Sequence, residues 1–197
     1  MSVLAEQPQT FAFSADNLKQ AEAIIAKYPA GRQQSAVLPL LDLAQRQSGG
    51  WLPRAAVHAV AEMLDMAEIR VWEVATFYTM FDLEPVGRAC VNVCTTTPCW
   101  LRGSDDIIAA LEGEIGIALG ETSEDGAFTL REVECLGACV NAPLVQIGDD
   151  YYEDLTPESA VALIKAIKAG EAIEAGPQSG RRTSEPASGP KVLKGDD

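Results

Sequence analysis

Apolar side chains recur at helical spacing over residues 1–85. Leu18, Ala21, Ile25 and Tyr28 share one face after Ser14, a residue type that caps helix N-termini, and Pro29-Ala30-Gly31 stops the run. Ser35 is expected to open a second helix carrying Val37, Leu40, Leu41 and Ala44, with Pro39 tolerable only in its first turn and Gly49-Gly50 as its end. Pro53 is expected to start a third, with Val57, Val60, Ala61 and Leu64 inward, and Glu68 to Tyr78 a fourth, with Ile69, Val71, Trp72, Val74 and Ala75 as its apolar positions. Short helices joined by tight loops predict a small helical bundle.

The pattern then changes period. Ala89 to Cys94 reads as a strand. Ser104 is expected to cap a helix with Asp105 and Asp106 in its first turn, where carboxylates suit the positive end of the helix dipole, and with Ile107, Ile108, Leu111 and Ile115 as its apolar face. Ala127 to Cys135 alternates at Phe128 and Leu130 and breaks at Val133, which predicts a strand with a bulge. Leu144–Ile147, the turn Gly148-Asp149-Asp150 and Tyr151–Glu153 read as a hairpin. Thr156 then caps a last helix, with Pro157 at its first position, Val161, Leu163, Ile164 and Ile167 on its buried side, and Gly170 past its end. The expected organisation is α+β: a helical bundle over 1–85, a β-α-β-β-α domain over 86–170, and a tail over 171–197. The tail is rich in Gly, Pro and Ser and lacks apolar periodicity, so alone it should be flexible, or should order on a partner.

Composition narrows the partners. With 47% hydrophobic residues the chain can build a core for each part, and its net charge of −14 argues against free nucleic acid and anionic membrane surfaces. No run of about 18 apolar residues exists to span a membrane. Met1–Gln9 has no basic or apolar signal region, and it carries Glu6 and no Arg, so the expected compartment is the cytoplasm. In such a compartment the five cysteines stay reduced, and an odd count fits a closed disulfide framework poorly.

Four of those cysteines form two close pairs. Cys94 and Cys99 enclose four residues, Cys135 and Cys139 enclose three, and 35 residues separate the pairs. Each pair follows a predicted strand, and parallel strands would bring the sulfurs together. Soft thiolates, four in all, suit a [2Fe–2S] cluster. Gly137 and Ala138 leave room for backbone N–H groups to face the sulfurs, and Leu136, Val140 and Pro143 can shield the site. No His lies nearby, so a Rieske arrangement is excluded. A structural zinc site uses the same donors, although its pairs are more often two residues apart, and it remains open at this point together with four unrelated buried cysteines. A redox dithiol would need Cys-x-x-Cys, which is absent. Cys90, mid-strand, reads as a small buried hydrophobe.

Gly50-Trp51-Leu52-Pro53, Val74-Ala75-Thr76-Phe77-Tyr78-Thr79-Met80-Phe81, Cys94-Thr95-Thr96-Thr97-Pro98-Cys99, Glu134-Cys135-Leu136-Gly137-Ala138-Cys139-Val140-Asn141-Ala142-Pro143 and Tyr151-Tyr152-Glu153-Asp154-Leu155-Thr156 together carry a resemblance. The chain resembles the thioredoxin-like [2Fe–2S] subunits of the NADH-dehydrogenase module of respiratory complex I, over about residues 10 to 190, and its tail is similar to the mitochondrial and related bacterial branch. The resemblance implies a thioredoxin-like second domain, Cys94, Cys99, Cys135 and Cys139 as cluster ligands, and a partner subunit that binds NADH and FMN. It implies an electron carrier in NADH:quinone oxidoreductase, without a complete active site of its own. It implies a peripheral position on the cytoplasmic side of a bacterial inner membrane, or the matrix side in a mitochondrion. The equivalent subunit of a soluble NAD-linked formate dehydrogenase or hydrogenase shares the module, and a zinc-stabilised interaction module is the reading from another class.

What the chain lacks agrees with that division of labour. It has no G-x-G-x-x-G and no G-x-x-x-x-G-K-[ST]. His58, the only histidine, is expected in a solvated or edge position. Phe77, Tyr78, Phe81, Trp51, Trp72 and Trp100 read as core or interface packing, not as a flavin platform. Arg181, Arg182, Lys191 and Lys194 make the tail locally basic, a feature suited to docking.

Overall fold

The computed structural model describes residues 7–186, 188, 189 and 192. Contacts divide the chain into two compact units, with the boundary between Val86 and Gly87.

The first unit is helical: α1 (Ala15–Ile25), α2 (Val37–Gln47), α3 (Arg54–Met63) and α4 (Glu68–Phe77). Ser14 caps α1 as expected, its side chain accepting from the Asn17 N–H. Ser35 does not cap α2. A 3-10 turn over Gln33–Ala36 feeds directly into that helix, and Ala36 takes the capping position without a side-chain bond. Pro53 stands just before α3 in extended backbone, one position earlier than expected. Leu40, Leu41, Ala44, Val57, Val60, Ala61, Val71 and Ala75 meet in one core, closed by Phe81. Ile69 is not part of it: on α4 the inward stripe is Val71 and Ala75, and Ile69, off that stripe, is 67% exposed. His58 is exposed between Glu62 and Glu68, as expected of an edge position.

The second unit contains β1 (Ala89–Cys94), α5 (Thr97–Leu101), α6 (Ser104–Ile115), β2 (Phe128–Val133), β3 (Val145–Ile147), β4 (Asp150–Glu153), α7 (Pro157–Ala169) and β5 (Gly176–Pro177). Among the described residues these strands form one mixed sheet in the order β2-β1-β3-β4-β5. β1 and β2 run parallel, joined by the α5–α6 crossover that parallel pairing requires, while β3 lies antiparallel to β1 and β4 antiparallel to β3. The register from Ala89↔Phe128 to Cys94↔Val133 is continuous, so the bulge expected near Val133 does not form. β2 ends there, and the break in alternation marks the strand end. Val91, Val93, Leu130 and Val145 bury one face of the sheet against Ile107 and Leu111 of α6 and Ala160, Leu163 and Ile164 of α7.

Two corrections concern helix starts and the tail. Ser104 is the first residue of α6, not its cap. Gly103 caps it in left-handed backbone (φ 93°), and the Ser104 hydroxyl is buried without a hydrogen-bond partner. Thr156 does cap α7, in a reciprocal capping box with Ser159. The tail is not uniformly loose. Gly176–Pro177 extends the sheet in parallel with Tyr152–Glu153, and the Gln178 N–H donates to the Glu153 carbonyl. Lys191 and Lys194 lie outside the described residues. No described helix is long and apolar enough to cross a membrane.

A four-cysteine candidate metal centre

The two cysteine pairs are delivered by different means. Cys94 is the last residue of β1, and Cys99 lies one short turn later in α5, a helix whose Pro98 presets its first turn. Both sulfur-bearing residues are buried, with Ala142 and Leu144 packed around them. Cys135 and Cys139 lie beyond the end of β2, on the loop that follows it, and both are exposed. Because β1 and β2 are parallel neighbours with Cys94 opposite Val133, that loop starts beside Cys94.

The sulfurs are close within and across the pairs. Cys135 Sγ and Cys139 Sγ are 3.4 Å apart. Cys94 and Cys99 are hydrogen-bonded to each other, and Cys99 is near enough to Cys139 to feel its charge. Thr96 spans the gap: its hydroxyl is 3.4 Å from Cys94 Sγ and also bonds Cys135. Backbone amides aim inward too. Gly137 N–H donates to Cys135 Sγ at 3.4 Å, and the Leu136 and Thr96 amides bond Cys94 Sγ. Gly137 reaches its position with φ 83°, a left-handed conformation that a side chain resists. Tyr151 on β4 donates its hydroxyl to the Leu136 carbonyl at 2.9 Å, which fixes the loop between the second pair.

These contacts set the thiols apart electrostatically. Burial pushes the Cys99 thiol up to about 12, helped by its neighbour Cys94. Burial pushes Cys94 the same way, but the bonds from Thr96 and the Leu136 amide outweigh it and lower that thiol. The Gly137 amide lowers Cys135, whereas the hydrogen bond with Cys135, together with loss of solvation, raises Cys139. In each pair one thiol is thus lowered and its neighbour raised.

Among the described residues, no group of three or more His, Cys, Asp or Glu side chains converges on a point where one metal ion could sit. A structural zinc site needs four donors around one ion. Two dithiol pairs side by side offer four soft sulfur donors, the set used by iron–sulfur clusters and by structural zinc alike. Cys90 is outside this set. It is half-buried, not fully buried as expected, because it shares the outer face of β1 with Asn92, whose side-chain oxygen lies 3.4 Å from its sulfur.

Shielding of the site is partial. Pro143 is buried and Leu136 packs against the pair on β1 and α5, but Val140 turns outward and is 67% exposed. Trp100, next to Cys99, is also exposed, its indole N–H donating to Asp105. In the first unit Phe81 is core, whereas Phe77 is 77% exposed and stacks edge-on against Tyr78. Arg181 is the largest surprise. Instead of a free basic side chain it is half-buried against Asp154 and reaches the loop carrying Cys139. Thr96, Tyr151, Asn141 and Arg181 all bear on the site without being foreseen. Thr96 was visible as a spacer inside the first cysteine pair, but the others act through contacts that no local pattern signals.

The thioredoxin-like [2Fe–2S] ferredoxin family matches residues 21–168. The chain belongs to that family. It is 60% identical over 158 residues to an NADH-quinone oxidoreductase subunit of Rickettsia bellii, covering 80% of this chain and 95% of that one. It is 50% identical over 183 residues to the mitochondrial NADH dehydrogenase [ubiquinone] flavoprotein 2 of Dictyostelium discoideum, covering 93% and 74%. Among solved structures, an NAD+-reducing [NiFe]-hydrogenase in its H2-reduced state superposes with a TM-score of 0.60 at 21% identity, over 68% of this chain and 23% of that one, a likeness of fold. The family carries an iron–sulfur cluster, and the α+β architecture is the one it uses.

Proposed function

We propose that the chain is the [2Fe–2S] electron-transfer subunit of NADH:quinone oxidoreductase, with Cys94, Cys99, Cys135 and Cys139 as the ligands of one cluster. The observation that carries the reading is the pairing of donors: two dithiols meet at one end of the sheet, delivered by the parallel strands β1 and β2. The curated relatives at 50–60% identity are subunits of that kind of oxidoreductase. When bound, the cluster accepts and returns one electron at a time.

The protein's own groups prepare that task. Buried Cys94 and Cys99 give the cluster a dry inner side, and exposed Cys135 and Cys139 an outer side that a partner can approach. The amides of Leu136, Thr96 and Gly137 and the Thr96 hydroxyl stabilise negative charge on the sulfurs, which favours the reduced state. The chain offers no nucleotide fingerprint, so NADH and FMN belong to a partner subunit of the same complex. That complex would place this chain on the cytoplasmic side of the membrane, or on the matrix side in a mitochondrion.

Anaerobic purification of the complex tests the reading. Two irons and two sulfides per chain are expected, with an EPR signal after dithionite, and Cys135→Ser should abolish or alter that signal. One equivalent of zinc in a colourless chain would overturn it. Membrane subunits should co-purify; a complex with only soluble partners would assign the chain to an NAD-linked formate dehydrogenase or hydrogenase instead.

A further inference from the structure

The second cysteine pair sits on an exposed loop, yet a cluster ligand must be held in place. We infer that Arg181, in the C-terminal segment, is a positioning residue for Cys139 and so for the cluster's outer side; this rests on the four-cysteine reading above.

The 3-10 turn Cys139–Asn141 carries the last cysteine, and Arg181 grips its other two residues. One guanidinium nitrogen, Nη2, donates to the Val140 carbonyl at 3.2 Å and to Asn141 Oδ1 at 2.7 Å. The same nitrogen bonds Asp154 Oδ1, and Nε donates to Asp154 Oδ2 at 2.9 Å. Nη1 donates to the Glu185 carbonyl at 3.2 Å. The forked, planar donor set is what allows one side chain to hold a carboxylate and a turn together. Arg181 and Asp154 are 15% and 13% exposed, so water competes little for these bonds.

The rest of the segment repeats the grip. Asn141, 4% exposed, donates through Nδ2 to the Glu153 carboxylate and to the Thr183 carbonyl. Ser179 donates to Asp154 Oδ2 at 3.0 Å. Asp154 holds left-handed backbone (φ 52°), an uncommon conformation for a residue with a side chain, and its N–H donates to the Asn141 carbonyl at 2.8 Å. The strained corner after β4 is thus fastened to the turn after Cys139, and Arg181 locks the two. β5 delivers Arg181 to this place by pairing with β4. Tyr151 fixes the same loop at Leu136, before Cys139, so the loop is anchored on both sides of its exposed sulfur.

A tail that merely covered the surface would leave the cluster indifferent to Arg181. The test uses the full-length chain with its cluster, comparing wild type, Arg181→Met, Arg181→Lys and Cys139→Ser. Iron release to excess chelator, the EPR signal of the dithionite-reduced protein and thermal melting by circular dichroism are measured on each. Arg181→Met should release iron about 10-fold faster or more, the size of effect seen when a ligand loses its hydrogen-bonded support. It should also alter the EPR line shape. Arg181→Lys should fall between, because an ammonium can reach Asp154 but cannot fork to the turn. Wild-type iron release and line shape in Arg181→Met, with only a lower melting temperature, would overturn the inference. If Arg181→Met does not accumulate folded, Arg181→Lys decides by the same two readings. A wild-type signal in Cys139→Ser overturns the ligand assignment and this inference together, whereas a normal response there with a silent Arg181→Met removes this inference alone.

Discussion

Among the described glycines, Gly87 leaves the least room for a side chain. An alanine Cβ there would lie 2.4 Å from the Phe128 carbonyl carbon and 2.7 Å from both Phe128 Cα and Thr129 N. Comfortable carbon contacts begin at about 3.5 Å, so the start of β1 would have to retreat from β2 by about 1 Å. Backbone is the obstacle, and no side-chain rotation can relieve it. The retreat would also pull the Gly87 N–H from the buried Thr129 hydroxyl, which it meets at 2.7 Å. Forced overpacking costs about 1–3 kcal/mol, and a buried donor left unpaired about 1–3 kcal/mol. Reduced freedom of the unfolded chain returns at most about 1 kcal/mol. A net loss of about 1–5 kcal/mol is expected, a large part of an ordinary domain's stability at its upper end. Gly113 is the internal control: it lies on the exposed side of α6 with nothing within 4 Å of an added Cβ. Gly113→Ala should gain about 0.5–1 kcal/mol. Denaturant unfolding of the full chain, followed by circular dichroism and by amide exchange in β1 and β2, compares the two. Equal shifts for both variants would refute the argument from close approach.

Ser104→Ala tests the revised start of α6. A capping serine would lose about 1 kcal/mol on this change, but the buried, unpartnered Ser104 hydroxyl predicts no loss or a gain in melting temperature, and a clear drop would restore it as a cap. Glu114 gives a pH signature. Its carboxyl is held below the usual range by the Lys168 ammonium at 2.9 Å, with Lys165 adding to it. A lowered folded-state value stabilises above the unfolded carboxylate range near pH 4.5 and is lost as pH falls through the folded value. Wild type should therefore lose more stability than Glu114→Gln between about pH 6 and about pH 3; parallel losses would show that the pair contributes nothing.

Local patterning carried much of this protein. Helical periodicity located the α1–α4 stripes, because a buried face must repeat every turn whatever it packs against. The apolar run of β1, the hairpin of β3 and β4, and the cap and stop of α7 were equally legible, since turn and capping residues act on their own backbone. Ser104 and Ser35 misled for a related reason. A serine is a good cap only if the chain before it is extended, and in both cases a turn preceding the helix had already taken that position. The bulge expected near Val133 was the simple end of β2.

The cysteines could be read as a set from spacing and family resemblance, because thiolates in close pairs have few other uses in a reducing compartment. Which sulfurs are buried, and that the two pairs lie side by side, follows from the parallel register of β1 and β2, whose paired residues lie about 40 positions apart in the chain. Tyr151, Asn141 and Arg181 were invisible for the same reason. Their bonds to the cysteine loop or to the tail join segments remote in the chain, and only folding brings a basic residue of the tail beneath the turn that carries Cys139. The cysteine pairs and the elements that bear them are thus legible in the linear chain, because near neighbours set them. Their geometry belongs to the packed sheet, because the distance between remote residues is not a property of any local pattern.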